Sequence, residues 1–230
     1  MKYKNVVKGI FHSRPNRFIA NVEIDGVLEK VHVKNTGRCK ELLIAGAEVY
    51  LSVADQSARK TKYDLIAVKK IENNRSTLIN MDSQIPNDAV GEWLGNSGLF
   101  SEEAFISREV TFGSSRFDFF VSDGERKAFL EVKGVTLEKE GVALFPDAPT
   151  LRGVKHIQEL MHAVELGYEA YVLFIIQMKG VEKFMPNRQT HPEFADTLKS
   201  AKECGVKLLA MDCIVTEDSI IIDSEIPIEI

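Results

Sequence analysis

Three residues near the middle of the chain have the types and spacing of a phosphodiesterase site that works with a divalent metal. Asp118 lies in the segment S-R-F-D-F-F, and Glu131 and Lys133 follow in F-L-E-V-K. Two carboxylates beside a hard cation such as Mg²⁺ or Mn²⁺ leave coordination positions for water and phosphate oxygens. An ammonium group nearby can orient the attacking water or neutralise charge that develops on the phosphate. The pattern therefore predicts Asp118 and Glu131 as metal ligands and all three residues as catalytic.

The two segments must form a hairpin of the correct register for these residues to share one surface. Side chains alternate along a strand, so Glu131 and Lys133 face the same side. If the turn is Gly124-Glu125, Asp118 lies directly across from Glu131, and if the turn begins one residue earlier the two carboxylates are diagonal neighbours. A three-residue turn would separate them. The alternative, three solvated charges on an amphipathic hairpin, stays open because motifs this short often occur by chance.

A second group of charged residues lies at the start of an amphipathic segment. Apolar residues recur at helical spacing over residues 151–166, after a threonine suited to cap a helix. The first turns carry Arg152, Lys155 and His156, although the amino terminus of a helix favours anions. Cations there indicate a bound phosphate, with His156 as a candidate general acid or base. Alternatively, Arg152 pairs with Asp147 and Lys155 faces water.

Charge is distributed unevenly along the chain. The 230 residues are 44% hydrophobic and 27% charged, which is typical of one or two globular domains. Residues 1–80 carry 15 Lys and Arg against 8 Asp and Glu, whereas residues 81–230 carry 14 against 26. A basic half joined to an acidic half favours one part that attracts a polyanion and another that concentrates acids for a metal.

Cysteines and hydropathy narrow the class of protein further. Cys39, Cys204 and Cys213 lack metal-ligand spacing, which predicts reduced thiols in a cytoplasmic protein and no zinc site. The amino terminus lacks the apolar core of a secretory signal, and the longest apolar run, A-Y-V-L-F-I-I, is too short to cross a bilayer. Neither a G-x-G-x-x-G motif nor a P-loop is present. We therefore expect no membrane partner and no nucleotide cofactor; the sequence does not specify an oligomeric state.

The basic half has the pattern of short strands. Three strand-like segments come first, with a turn at S-R-P-N and a tight hairpin at Asp25-Gly26. R-C-K-E-L-L has a short helical pattern, and two further strands follow. This order predicts a five-stranded OB-type β-barrel over residues 1–80, a fold that binds nucleic acid in a basic groove. The predicted contacts with nucleic acid are Arg14, Arg17, Arg38, Lys40, Arg59, Lys60 and Lys62.

Aromatic residues near these cations are candidates for stacking on bases. They are Phe11, Phe18 and Tyr63, whose alternation is also that of residues inside a barrel. In the acidic half, Arg116 lies two residues before Asp118 and is a further predicted contact with nucleic acid.

The acidic half has a mixed helix and strand pattern. A linker is predicted between Glu72 and Asp88, and a helix from Asn87 or Asp88 through Leu94. A meander of three strands carries the acids, followed by the irregular loop F-P-D-A-P-T, the amphipathic helix, a buried strand, a helix over Pro192–Cys204 and a last strand. The chain is thus predicted to be a two-domain α+β protein, with a mixed α/β domain over residues 81–230.

Longer motifs spread over nearly the whole chain are far more specific than E-V-K. They include R-F-I-A-N-V-E-I-D-G, N-T-G-R-C-K-E-L-L, G-S-S-R-F-D-F, F-L-E-V-K-G-V-T-L and F-P-D-A-P-T-L-R-G-V-K-H-I-Q-E-L. Together they resemble the sugar fermentation stimulation (SfsA) family. The resemblance implies an amino-terminal OB domain, a carboxy-terminal PD-(D/E)xK, restriction-endonuclease-like domain, and DNA binding with a regulatory role in sugar metabolism.

The nuclease-fold signature implied by this resemblance falls on the same aspartate, glutamate and lysine. Phe117 stands where a proline usually precedes the aspartate. Such sites often take another acid from the first helix, and Glu92 is the candidate metal ligand, with Glu102 and Glu103 as alternatives.

Three functions from different classes fit the sequence. The first is a Mg²⁺-dependent DNA nuclease whose OB domain holds the strand. The second is a DNA-binding regulator that keeps the nuclease fold without cleaving, and the third is a domain that binds an acidic protein or a small phosphate. The intact acid and lysine set favours DNA binding with a metal-dependent nuclease site, and the non-cleaving regulator is the alternative.

Overall fold

The computed structural model describes residues 1–35, 37–54, 60–72 and 75–230. The amino-terminal part begins with five strands: β1 (Val6–Asn16), β2 (Ile19–Ile24), β3 (Val27–Val33), β4 (Glu48–Val53) and β5 (Tyr63–Glu72). Antiparallel neighbours follow the order β3-β2-β1-β4-β5, and a short parallel pairing of β3 with β5 closes them into a ring. This arrangement confirms the predicted OB domain as a ring of five strands.

Alternation along these strands explains why the ring forms. In β2, Ala20, Val22 and Ile24 are buried while the residues between them are half-buried, so one side faces the interior of the ring. The predicted hairpin at Asp25-Gly26 is confirmed, because both residues have positive φ (51° and 78°) and Ile24 pairs with Val27.

Two local predictions in this domain are wrong. S-R-P-N does not turn the chain, because β1 continues through Pro15 to Asn16 with register shifts against β2 that accommodate a residue without an N–H. The segment R-C-K-E-L-L forms a single turn instead of a helix, in which the N–H groups of Leu42 and Leu43 both donate to the Cys39 carbonyl.

The predicted linker contains regular structure. β6 (Arg75–Asn80) pairs with β5, and α1 (Ile85–Leu94) begins soon after it. Pro86 lies at the start of α1, where its missing N–H would have no helical partner in any case. The end of the helix before Gly95 is confirmed.

The carboxy-terminal part is built on a six-stranded sheet with the order β15-β14-β12-β9-β8-β7. Its elements, with those of a small second sheet, are β7 (Phe105–Phe112), β8 (Ser115–Asp123), β9 (Arg126–Val135), β10 (Leu137–Lys139), β11 (Val142–Phe145), α2 (Leu151–Glu165), β12 (Glu169–Ile176), β13 (Lys183–Pro186), α3 (Pro192–Glu203), β14 (Lys207–Val215) and β15 (Ile220–Glu225). The predicted meander, the two helices and the strand after each are confirmed. The four short or edge strands β10, β11, β13 and β15 were not predicted.

The sheet separates two apolar layers. Helices α2 and α3 cover the face that includes Phe117, Phe129 and Phe174, and α1 lies on the other face with Phe119 and Leu130. β12 lies in the middle, parallel to both β9 and β14, and is buried on both faces as predicted. Within the described ranges, none of the helices has the length and apolar character needed to cross a bilayer.

Buried hydrogen bonds join the two domains. The N–H of Asn80 donates to the carbonyl of Gln177 at 2.9 Å, and the Gln177 side chain donates to the carbonyls of Asn80 and Asp82 at 3.1 and 3.0 Å. Lys70 of β5 forms an ion pair with Glu138 of β10 at 2.7 Å. Both contacts hold the OB domain against the segments that follow β12 and β9.

Candidate active site where two strands separate

The hairpin of β8 and β9 has the first of the two predicted registers. Phe119 pairs with Leu130 and Asp123 with Arg126, so the turn is Gly124-Glu125. The regular pairing stops at Phe119 and Leu130, and the next two positions are Asp118 and Glu131. The acids therefore lie opposite each other at the point where the strands separate.

Asp118 bridges the gap between β8, β9 and α1. One carboxylate oxygen accepts the N–H of Val132 at 2.7 Å, and the other accepts the side-chain amide of Asn87 at 2.7 Å. Burial raises the pKa of Asp118 above its ordinary value, and the charge of Glu131 raises it further, against the opposing effects of Val132, Asn87 and Lys133. Two hydrogen bonds thus fix the position of the carboxylate. The positive charge nearby does not outweigh the effects of burial and of Glu131 on its pKa.

Glu131 is 3% exposed, and its two oxygens have different surroundings. Oε1 accepts from Nζ of Lys133 and from Nδ1 of His156, each at 2.5 Å. Oε2 is also buried, and no hydrogen-bond donor reaches it within the described part of the chain. Burial alone would raise the pKa of Glu131, but the hydrogen bond from His156 and the charge of Lys133 hold it below its ordinary value. Glu131 is therefore ionised and has one open acceptor.

A divalent cation fits this donor set. A buried acceptor without a partner costs roughly 1–3 kcal/mol, and more when it is charged. A cation at Oε2 of Glu131 would remove that cost and would also offset the repulsion between Glu131 and Asp118. No group of three His, Cys, Asp or Glu residues in the described ranges is arranged to hold one metal ion. Mg²⁺ tolerates such a site because it usually keeps several waters and takes phosphate oxygens as ligands.

The predicted third acid is not at this site. Glu92 is exposed, and its carboxylate accepts from the backbone amine of Met1 at 2.5 Å, which also contacts the Ile220 carbonyl at 3.0 Å. Ile220 belongs to β15, four strands from β8, and adjacent strands lie about 4.8 Å apart. Glu92 therefore cannot share a cation with Asp118, and its prediction as a metal ligand is wrong.

The alternative acids are also remote. Glu102 and Glu103 are exposed and precede Phe105, which pairs with Ser122 towards the far end of the hairpin. The residue of α1 that reaches the site is Asn87, which sequence reasoning considered only as a helix cap. Gly134, directly after Lys133, permits this approach, because a Cβ there would lie 2.9 Å from Pro86 and 2.6 Å from the side-chain oxygen of Gln177.

His156 has a different role from the predicted phosphate contact. Its ring is buried, its Nε2 accepts from Nε of Arg152 at 3.3 Å, and its Nδ1 contacts Glu131. Because Nε2 accepts from the guanidinium, the proton of the neutral ring is on Nδ1. His156 thus holds Oε1 of Glu131 and is not free to contact nucleic acid.

The other cations at α2 remain accessible. Thr150 caps the helix by accepting the N–H of Gly153 at 3.0 Å, as predicted. Arg152 is exposed and takes His156 as its partner instead of Asp147. Lys155 is exposed and donates to the Ser114 carbonyl at 3.1 Å.

Among the predicted nucleic-acid contacts of the OB domain, Arg14 is a correction. Its Nη1 and Nη2 donate to four backbone carbonyls, at 2.7 to 2.9 Å, so its side chain fastens two loops together. The exposed members of the predicted set are Arg17, Arg38, Lys40, Lys60 and Lys62, with Arg116 in β8 near Glu109. Arg59 lies outside the described residues.

The fold and site define a class of protein: an OB domain joined to a mixed sheet in which two acids and a lysine meet where strands part. A family model described as SfsA N-terminal OB domain matches residues 13–80, and one described as Sugar fermentation stimulation protein RE domain matches residues 84–219. The chain belongs to the SfsA family.

Named relatives and a solved structure agree with this assignment. The sugar fermentation stimulation protein homolog of Desulfitobacterium hafniense (strain DSM 10664 / DCB-2) is 63% identical over 220 residues, which cover 96% of this chain and 94% of the relative. The homolog of Ruminiclostridium cellulolyticum is 54% identical over 230 residues and the full length of both chains. A structure of Pyrococcus furiosus SfsA in complex with Ca²⁺ has a TM-score of 0.87 and 29% identity, with 100% of this chain and 98% of that chain covered.

Proposed function

We propose that this protein binds DNA and hydrolyses its phosphodiester bonds with Mg²⁺ or Mn²⁺ at Asp118, Glu131 and Lys133. The observation that carries the proposal is that Oε2 of Glu131, opposite Asp118, is buried and has no hydrogen-bond donor among the residues that the structure describes. The Pyrococcus furiosus relative was solved with Ca²⁺, another hard cation that prefers oxygen ligands. That finding supports a cation in this family without identifying its position in this chain.

Each residue of the site would have a separate role in hydrolysis. Asp118 and Glu131 would hold the cation, which supplies Lewis acidity and lowers the pKa of a water. Lys133 is mostly buried, and one of its three ammonium N–H groups donates a hydrogen bond to Glu131. The other two are available to orient the attacking water or to stabilise charge developing on the phosphate. His156 fixes Oε1 of Glu131 and thereby leaves Oε2 as the free acceptor. Asn87 keeps Asp118 oriented.

Electrostatics support DNA as the substrate. Exposed cations of the OB domain and Arg152 at the amino terminus of α2 provide contacts for phosphates. The three cysteines are free thiols, which supports the expected reducing cytoplasm as the location. No part of the proposal requires a membrane or a nucleotide cofactor.

Cleavage is tested with purified protein on supercoiled plasmid, linear duplex and circular single-stranded DNA, each with Mg²⁺, Mn²⁺ or EDTA. We expect cleavage of at least one form that needs metal and is lost in Asp118→Asn. Glu102→Gln is the matched control, because it removes an exposed acid at the far end of the hairpin and should leave the rate unchanged. DNA binding without cleavage of any form would favour the non-cleaving regulator.

A further inference from the structure

We propose that the β1–β2 turn is a stacking platform for an unpaired DNA base, with Phe18 as the aromatic surface, so that the OB domain selects single-stranded DNA. This inference rests on the DNA-binding part of the proposed function and names the form of DNA that the domain takes.

Exposure distinguishes Phe18 from the other two aromatic candidates. Phe11 is 3% exposed in the core of the ring, and Tyr63 is half-buried and packs against the same core. Phe18 is 50% exposed. An isolated exposed aromatic ring is common on protein surfaces, so the proposal depends on what surrounds it.

Phe18 has a cation beside its ring. The guanidinium carbon of Arg17 lies 5.6 Å from the ring centroid, within the range of a cation–π contact. A base that stacks on Phe18 would therefore have its phosphate near a positive charge. Proteins that bind single strands combine these two elements, a π surface for the base and a basic track for the backbone.

The turn that carries Phe18 is fixed before any ligand arrives. The N–H of Phe18 donates to the side chain of Asn16 at 2.9 Å, and the carbonyl of Phe18 accepts the N–H of Val33 at 2.8 Å. Arg14 then ties the Arg17 carbonyl to the carbonyl of Arg38 through one guanidinium. Arg14 thus joins the backbones of two exposed basic residues, Arg17 and Arg38. Preorganisation of this kind lowers the entropy cost of binding.

The geometry favours a single strand over a duplex. In a duplex the faces of the bases are covered by their neighbours, so an aromatic side chain can stack only on an unpaired base. The loop after β3 also leads towards the metal site. A cavity of about 140 Å³ lies between Asn35 and Gly37 on one side and Gly134 and Asp147 on the other, and Gly134 is adjacent to catalytic Lys133. The cavity thus lies between the loop after β3 and the end of the strand that carries Lys133.

The test measures binding without cleavage. Anisotropy of labelled single-stranded DNA and of a duplex of the same length is recorded in EDTA for the full chain. Phe18→Ala should raise the Kd for the single strand about 5- to 150-fold, the range seen when one stacked aromatic is removed, with little change for the duplex. Phe18→Trp should restore binding. Phe105→Ala is the matched control, because Phe105 is 69% exposed on β7, outside the basic half, and it should stay within about twofold of the wild type, the scatter expected of an exposed side chain without a ligand.

Each contrary result has a distinct meaning. Single-stranded binding that Phe18→Ala leaves unchanged, or an equal loss for the duplex, overturns this inference and leaves DNA binding intact. Absence of binding to either DNA by the wild type overturns both. Because EDTA removes the metal, the outcome of the cleavage assay has no bearing on this result.

Discussion

Glu131 of β9 and Glu169 of β12 are glutamates on neighbouring strands, and each lies beside two potentially cationic side chains. Glu169 accepts from Nε and Nη2 of Arg126 at 2.7 and 3.1 Å, from Lys207 at 2.8 Å and from the Tyr171 hydroxyl at 2.7 Å, so both of its oxygens are occupied. Glu131 receives both of its donors on Oε1 and leaves Oε2 buried and open.

The comparison of Glu131 with Glu169 shows that charge pairing alone does not distinguish a structural acid from a functional one. The hydrogen bond from Arg126 holds the pKa of Glu169 far below its ordinary value, against the effect of burial, and Lys207 and Tyr171 add to this. The pKa of Glu131 is also lowered, so both acids are ionised at neutral pH. The difference is saturation: both oxygens of Glu169 accept hydrogen bonds from the protein, whereas Oε2 of Glu131 has no donor within the described part of the chain and is open to an external cation.

The largest expected effect is on cleavage. Glu131→Gln and Lys133→Ala should each lower the rate of metal-dependent cleavage by about 10²- to 10³-fold or more, because groups that stabilise charge in a transition state are worth this much. Glu169→Gln should keep the cleavage rate within about threefold of the wild type, because this substitution removes hydrogen bonds that stabilise the fold and lie outside the site. Initial rates on the preferred DNA form measure this. An equal loss in the Glu169 variant would show that saturation does not separate the two acids.

Metal binding should separate the acids next. A ligand that binds only the folded state at 100 times its Kd adds about 2.7 kcal/mol of stability. We expect Mg²⁺ or Ca²⁺ at saturating concentration to raise the Tm of the wild type and of Glu169→Gln. Asp118→Asn and Glu131→Gln should lose that response. Thermal unfolding with metal and with EDTA gives the comparison, and an undiminished response in Glu131→Gln would place the cation elsewhere.

The charges of Asp118 and Glu169 should affect the stability of the metal-free protein in opposite directions. The pKa of Asp118 is raised in the folded protein, so the stability linked to this carboxyl is present below its unfolded pKa and is lost as the pH rises through the folded pKa. At neutral pH its charge is therefore a cost, and Asp118→Asn should remove this pH dependence from the stability of the metal-free protein. Glu169→Gln should destabilise it by about 1–2 kcal/mol. Urea unfolding in EDTA across a pH series tests both, and a pH dependence that Asp118→Asn leaves unchanged would contradict the burial argument.

A saturated acid in the OB domain gives the smallest effect. Hydrogen bonds from Lys8 and Tyr50, with Lys69 nearby, lower the pKa of Glu48 from 4.5 to about 2. A depressed carboxyl contributes its stability above its unfolded pKa and loses it as the pH falls through the folded pKa. Glu48→Gln should therefore flatten the stability profile between pH 4.5 and about 2, by about 1 kcal/mol after solvent screening. Urea midpoints across this range measure it, and an unchanged slope would show that the Lys8 pair contributes nothing.

Much of the architecture could be predicted from patterns within short segments. The turn between β8 and β9 could be limited to two registers, and both kept Asp118 and Glu131 together. β6 was missed because the apolar residues of R-S-T-L-I-N are adjacent and do not alternate, and the strand is stabilised by pairing with β5. The short strands of the second sheet likewise depend on partners distant in sequence.

Residues whose roles depend on distant partners could not be predicted. Glu92 was proposed because the family resemblance implies an acid from the first helix, whereas the residue of that helix that contacts Asp118 is the amide Asn87. His156 has the spacing of a phosphate contact, and only its burial against Glu131 shows that it positions the metal ligand. Nor could the sequence show that Phe18, and not Phe11, faces solvent, because both lie in or beside alternating segments.

Arg14 has a consequence for any mutational survey of this protein. Its planar guanidinium serves carbonyls at Arg17, Asn35, Gly37 and Arg38 simultaneously, a task that the compact ammonium of lysine cannot reproduce. A survey that scored only affinity would rank Arg14 among the ligand-contacting residues, although its loss acts by releasing two loops. Protease sensitivity of those loops, scored in parallel, would reveal the difference.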